Sequence, residues 1–248
     1  MLLSVVIITH NEERNIERCL SSVKPLADEI LVVDSFSTDR TKEICLAQGT
    51  RLIEHKWEGY SASKNYANQQ ATYDWILSLD ADEALSPELS KSIQELKKAE
   101  HPHVAKFNRL TNYCGHWIRH CGWYPDTKIR IFNRTSASWA GLIHEKLEFT
   151  DRLPILHLKG DCLHYSYYTL EQHLLQAEKF TDLAAAELFR QGKKGSLLKL
   201  VLSPTVKFIQ SYFLQRGFLD GSAGLTVCRI SAWASYLKYK KLRLLWKE

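Results

Sequence analysis

Proline is scarce in this chain, 6 residues in 248, and glycine is little commoner at 11. Such low numbers exclude collagen-like repeats and the low-complexity linkers these residues build. No apolar run reaches the roughly 18 residues of a membrane span, so nothing is expected to cross a bilayer. No basic segment precedes the first apolar stretch either: Met1 leads directly into LLSVVII, and no signal peptide is expected. The six cysteines (Cys19, Cys45, Cys114, Cys121, Cys162 and Cys228) are too few for a disulfide scaffold in a chain this long, which suits a reducing cytosol. Wholesale disorder is excluded as well, because 45% of residues are hydrophobic and 25% charged, enough to build a sizeable core. No internal repeat is found.

Acidic residues are missing from one region in particular. Residues 1–189 carry 21 Lys and Arg against 26 Asp and Glu, whereas residues 190–248 carry 12 against 2. A basic terminal block of that size points to an anionic partner: nucleic acid, phospholipid or an anionic glycolipid. Arg229, Lys240, Arg243 and Lys247 fall on one stripe of a helix, as in basic amphipathic helices that lie on anionic membranes, although a solvated helix face has the same pattern. Nucleic acid is not expected, since no binding module is recognisable and no aromatic residues alternate with the basic stripe.

The periodicity alternates between strand and helix over the first hundred residues. LLSVVII (2–8) is apolar without helical spacing, as in a strand buried on both faces. Asn11 then offers a helix cap, with Ile16, Cys19, Leu20 and Val23 at helical spacing behind it. Further strands are expected at Ile30–Val33, near 51–54 and at Trp75–Leu79. Helices among them include one closed by Gly49 and one near 62–71, and Ser86-Pro87 begins another after the last strand. The expected class is therefore α/β, a mostly parallel sheet with helices on both faces. From 103 to about 166 the pieces are short, aromatic and strand-like. From Thr169 onward the chain reads as helix, with Thr169 and Gln172 at capping-box spacing, Leu170, Leu174, Ala177, Thr181, Ala184 and Leu188 as its stripe, and Pro204 interrupting a second helical segment. This places a domain at 1–168 and a basic helical region at 169–248.

In an open parallel sheet, ligands bind beyond the carboxyl ends of the strands. Thr9-His10-Asn11-Glu12, Asp34 and Asp80-Ala81-Asp82 all stand there. Two carboxylates directly after a buried strand can hold Mg²⁺ or Mn²⁺ while substrate phosphates and water fill the remaining positions; Asp82-Glu83 could equally cap the next helix.

The segments SVVIITHNEERNIERCLSSV, EILVVDSFSTDRT, GYSASKNYA and WILSLDADE occur in the order and spacing of family 2 glycosyltransferases of GT-A fold, which the chain resembles over residues 3–150. RHCGWYPDTKIRIFNR, WAGLIHEKLEF, DCLHYSY and GFLDGSAG resemble a narrower group that includes β-glucosyltransferases of lipopolysaccharide inner-core assembly, which move glucose from UDP-glucose to a heptose. The resemblance implies that Thr9, Asn11 and Glu12 line the uridine pocket and that Asp34 binds uracil or ribose. It further implies that Lys64 and Asn65 lie near the nucleotide, that Asp80 faces ribose and sugar, and that Asp82 coordinates Mg²⁺ or Mn²⁺. Glu145, in GLIHEKL, falls at the position of the family's catalytic base. Many members have Glu-Asp there, where this chain has His144-Glu145. The chain also lacks the Gln-x-x-Arg-Trp motif of processive synthases, which implies a single transfer.

An inverting transfer needs a base for the acceptor hydroxyl and charge neutralisation on the departing diphosphate. Arg130 suits either a contact with the diphosphate or acceptor, or a strand salt bridge. His164 suits the metal shell or a hydrogen-bonded interior. Cys114, His116, His120 and Cys121 lie close together but without zinc-finger spacing, which favours packing. The expected function is a metal-dependent inverting transferase that uses a UDP-sugar and a lipopolysaccharide-core glycolipid, peripheral on the inner face of the cytoplasmic membrane. A catalytically idle nucleotide- or glycan-binding module on the same fold is the alternative.

Overall fold

The computed structural model describes residues 1–100, 103–141, 146–151 and 153–247. Its elements run β1 (Leu3–Thr9), α1 (Ile16–Val23), β2 (Glu29–Asp34), α2 (Thr41–Ala47), β3 (Arg51–Glu54), α3 (Tyr60–Gln70), β4 (Trp75–Asp80), β5 (Glu83–Leu85) and α4 (Pro87–Lys98). Then follow β6 (Val104–Tyr113), β7 (His116–Ile118), β8 (Asp126–Asn133), β9 (Ala137–Ala140), β10 (Lys146–Phe149) and β11 (Ile155–Tyr167). The chain ends in α5 (Leu170–Arg190), α6 (Leu197–Ile209), a π turn (Gln210–Leu214), a 3₁₀ turn (Gly217–Asp220) and α7 (Gly221–Leu245). It divides into two compact units, Met1–Arg109 with Asp126–His164, and Leu110–Pro125 with Tyr165–Glu248.

The sheet order is β3-β2-β1-β4-β8-β6-β11-β5, with β7 beside β6, while β9 and β10 form a separate hairpin. β1 is buried along its whole length and pairs in parallel with β2 and β4. Alternate side chains serve opposite faces. Val5 and Ile7 pack with Leu20 of α1 and Ile93 of α4, whereas Val6 and Ile8 pack with Ala67 of α3 and Trp139. Helices therefore cover both faces, as the apolar strand runs require. Past β4 the pairing becomes antiparallel, β4 to β8 and β8 to β6, so the aromatic-rich pieces extend the sheet.

Two local expectations need correction. Asn11 does not cap α1: the helix begins at Ile16 behind Asn15, and the Asn11 amide oxygen instead accepts from Thr38 N–H at 2.8 Å. Pro204 does not interrupt α6, which runs through it from Leu197 to Ile209. Other signals hold. The Ser86 hydroxyl accepts from Leu89 N–H with Pro87 at the first helical position, and Thr169 and Gln172 form the reciprocal capping box. The buried line of α5 is His173, Ala177, Thr181 and Ala185, rotated from the leucine-containing stripe because small side chains let α7 approach.

In the second unit, Tyr113, Ile118, Cys121, Val227 and Cys228 form a core. Asp220 accepts from His120 N–H and pairs with His120 Nδ1, each at 2.8 Å, and so ties β7's following loop to the start of α7. Among the described residues no helix is long and apolar enough to cross a membrane.

Gly160 on β11 has φ +90°, and a Cβ there would stand 2.3 Å from Leu89 N of α4. Gly160→Ala meets both a left-handed backbone and the helix main chain. A loss of about 2 kcal/mol or more is expected in urea denaturation, against about 1 kcal/mol for Gly192→Ala, whose φ of +69° carries no contact within 4 Å.

Candidate active site

The parallel register fixes the site's frame. Thr9 pairs with Asp34 across β1 and β2, and Ile8 pairs with Asp80 across β1 and β4, so these strand ends form one edge. Thr9 is buried, and among the described residues its hydroxyl has no hydrogen-bond partner. Asp34 is 0% exposed; its two oxygens accept from Ser37 N–H and from the Ser37 hydroxyl, which folds the following loop back onto the strand. That loop carries Phe36 at φ 58° with its side chain largely exposed. A bulky residue in the left-handed region is strained, and such strain collects at binding sites.

The turn after β1 is fastened to this loop. Asn11 donates its backbone N–H to the Ser37 hydroxyl at 2.8 Å, and Glu12 donates its own to Thr41 Oγ1 at 2.8 Å. The Glu12 carboxylate accepts from the Asn15 side chain at 2.8 Å. Burial raises the Glu12 carboxyl above the ordinary carboxylate range; Asn15 partly opposes this, and the neighbouring Asp82 and Asp39 reinforce it. Thr9, Asn11, Glu12 and Asp34 thus stand together at this edge.

Asp80 is the most heavily engaged residue of the edge. Lys64, delivered by α3 and 1% exposed, places its ammonium 3.0 Å from one Asp80 oxygen. Arg130, from the antiparallel neighbour β8, donates to the other at 3.0 Å and to Glu83 at 2.8 Å. Glu83 is wholly buried; it also accepts from Asp80 N–H at 3.0 Å and pairs with Arg109 at 3.3 Å, and Arg109 reaches on to Asp126. Burial alone would raise the Asp80 carboxyl, but Lys64 and Arg130 overcome it and hold the group well below the usual carboxylate range. The Arg130 guanidinium is firmly charged: burial opposes its charge, and Glu83 and Asp80 more than compensate.

Asp82 has a different environment. His164, on β11 where it pairs with Glu83, lies 3.1 Å from one Asp82 oxygen. A carboxylate oxygen and an imidazole nitrogen suit Mn²⁺, and the carboxylate alone suits Mg²⁺; two protein donors leave room for phosphate and water. Among the described residues no three or more His, Cys, Asp or Glu side chains gather as a closed metal cage. The donors present therefore fit an ion shared with a substrate, and Asp82 rather than the twice-paired Asp80 is free to carry it.

Asn65 also engages the next hairpin. Its amide donates to Trp139 O and accepts from Trp139 N–H, both at 2.8 Å, and Ser61 one turn earlier donates to Gly141 O at 2.6 Å, so α3 suspends the β9–β10 hairpin. His144 and Glu145 lie outside the described residues. Glu83 and Arg109 were not singled out from the sequence. Glu83 reads there as a first-turn helix residue, and only the pairing of β5 with β11 turns it inward.

Lys64→Met leaves Asp80, whose side chain is 26% exposed, with Arg130 as its remaining cation. Losing the buried partner of this pair should cost about 2 kcal/mol in urea denaturation. The wild-type contribution of Asp80 is complete above about pH 4 and is lost as pH falls toward the lower folded-state value. Acid unfolding of the variant, followed by circular dichroism, should therefore set in at higher pH.

The glycosyl transferase family 2 model matches residues 4–174. An uncharacterized glycosyltransferase of Rickettsia typhi is 33% identical over 252 residues, covering 97% of this chain and 86% of the relative. A lipopolysaccharide core biosynthesis glycosyltransferase of Rhizobium meliloti is 25% identical over 260 residues, covering 96% of this chain and 93% of its own length. A structure of glucosyl-3-phosphoglycerate synthase from Mycobacterium tuberculosis overlaps only 45% of this chain and 44% of that one, at 24% identity and a TM-score of 0.37. The family match takes in the whole edge from Thr9 to His164, the first relative extends it across nearly the entire chain, and the protein belongs to glycosyl transferase family 2.

Proposed function

We propose that this enzyme is an inverting, divalent-cation-dependent hexosyltransferase that moves glucose from UDP-glucose to a heptose of the lipopolysaccharide inner core, working at the inner face of the cytoplasmic membrane. The observation that carries the reading is the division of labour in Asp80-Ala81-Asp82: Asp80 is neutralised by Lys64 and Arg130, and Asp82 is left with His164 at the mouth of the strand edge. The relative from Rhizobium meliloti, a lipopolysaccharide core enzyme of similar length, supports the choice of acceptor.

In this mechanism Thr9, Asn11 and Asp34 receive the uridine, with the exposed ring of Phe36 stacking on the base. Asp80, fixed by its two cations, orients the ribose and sugar, with Lys64 and Asn65 supporting that side. Asp82 and His164 would hold the Mg²⁺ or Mn²⁺, which would supply charge neutralisation for the departing UDP. Glu145 takes the proton of the acceptor hydroxyl as that oxygen attacks the anomeric carbon from the face opposite the diphosphate, which inverts the configuration.

Binding and slow hydrolysis should be seen with UDP-glucose among UDP-, GDP- and TDP-sugars, and only with Mn²⁺ or Mg²⁺ present; failure to bind any of them in either condition removes the reading. Asp82→Asn should lower metal-dependent turnover by about 100-fold or more while the fold is retained. Glu145→Gln should reduce transfer by about 10²–10⁴-fold with UDP affinity nearly unchanged, and transfer at the wild-type rate would exclude Glu145 as the base.

A further inference from the structure

The second unit carries an apolar surface that the transfer reaction does not use. No residue of α6 is buried. Leu198, Val201, Leu202, Val206 and Ile209 all point outward, with Leu198 68% and Val206 59% exposed. At 100° per residue these five fall within one arc of the helix. The surface continues past the helix end, where Phe213 and Leu214 are 55% and 75% exposed, and Phe218 follows in the 3₁₀ turn. The aromatic rings link the pieces: Phe208 lies 6.4 Å from Phe213, and Tyr212 lies 6.2 Å from Phe218. Scattered exposed leucines are ordinary, but a continuous patch of this kind marks an interaction site.

The charge of the same segment identifies the occupant. Between residues 190 and 219 the sequence has Arg190, Lys193, Lys194, Lys199, Lys207 and Arg216, and no Asp or Glu. A symmetric contact with a second copy would bring these cations against themselves. The preceding helix α5 also exposes leucines and phenylalanines, yet it carries Glu171, Glu178, Asp182 and Glu187, whereas the α6 side combines a more exposed apolar face with a purely basic rim. Cations beside an apolar helix face are what an anionic bilayer binds: acyl chains take the leucines while headgroup phosphates meet the lysines. α6 has 13 residues, far short of a span, which fits a helix lying in the interface. The stripe on α7 is partly committed elsewhere, since Arg243 donates to Gly195 O and Lys247 falls beyond the helix end at Leu245.

We propose that α6 and the two turns after it form a membrane-docking surface that seats the second unit on an anionic lipid bilayer. The inference deepens the reading of a glycolipid acceptor and rests on it for its purpose, but its test reads lipid binding alone. The full chain is sedimented with extruded vesicles of phosphatidylcholine, with and without phosphatidylglycerol, at low and high salt. The wild type should sediment with the phosphatidylglycerol vesicles and be released by salt. Leu198→Ser/Leu202→Ser/Val206→Ser should weaken sedimentation by about tenfold or more, and Lys199→Gln/Lys207→Gln should weaken it by a similar factor and flatten its salt dependence. Circular dichroism and UDP-glucose binding in solution are recorded for each variant; unchanged values confine the loss to lipid contact, and absent donor binding in the wild type would count against the transfer reading without touching this one. Undiminished vesicle binding by the serine variant would overturn the proposal. So would light scattering that shows a wild-type dimer made monomeric by the serine changes, with no vesicle binding by either.

Discussion

The site depends on one arginine more than on any other side chain. Arg130 enters from an antiparallel strand and binds both Asp80, at the end of a parallel strand, and Glu83, at the start of the next one. Ionised carboxylates so close together in a desolvated setting are unfavourable without compensation, and most of the cost of burying Glu83 is offset only because two guanidinium groups surround it. The network therefore contributes little as net stability and much as geometry: it sets the direction in which the chain leaves β4, and so where Asp82 stands. Lys64 completes the balance from the helix layer, and its burial under the ring of Trp139 leaves it little freedom.

That arrangement explains which parts were legible in the amino-acid order. The parallel half was readable because its central strands are short apolar runs, two of them ending in Asp, and the parallel register places Thr9, Asp34 and Asp80 at one edge. The pairing of His164 with Asp82 could be named only as a possibility, because it depends on β11 coming back beside β5. Glu83 and Arg109 were invisible: nothing local distinguishes Glu83 from an acidic residue in the first turn of a helix, a place that α4 fills with Glu88. Asn11 failed as a cap because a better acceptor role awaited it across the edge, at Thr38 N–H.

The helical region illustrates a complementary limit. A wheel drawn on residues 229–247 finds a basic stripe, but periodicity does not say which helix is left uncovered by its neighbours. α7 buries Val227, Cys228 and Leu242, whereas the more apolar α6 has no fully buried residue and reaches the core only through Phe208. Hydrophobic residues therefore mark the outside of this unit as clearly as its core, a reversal that composition alone does not reveal.

Helix α3 acts as a ruler. Lys64 fixes it to the carboxylate that ends β4, while Ser61 and Asn65, one turn apart, hang the β9–β10 hairpin from it. The connection between those two strands contains position 145. The span from the strand edge at Asp80 to that hairpin is thus set by the width of a single helix. Substitutions at Ser61 or Asn65 would therefore release the hairpin from α3 while leaving the Lys64–Asp80 contact in place.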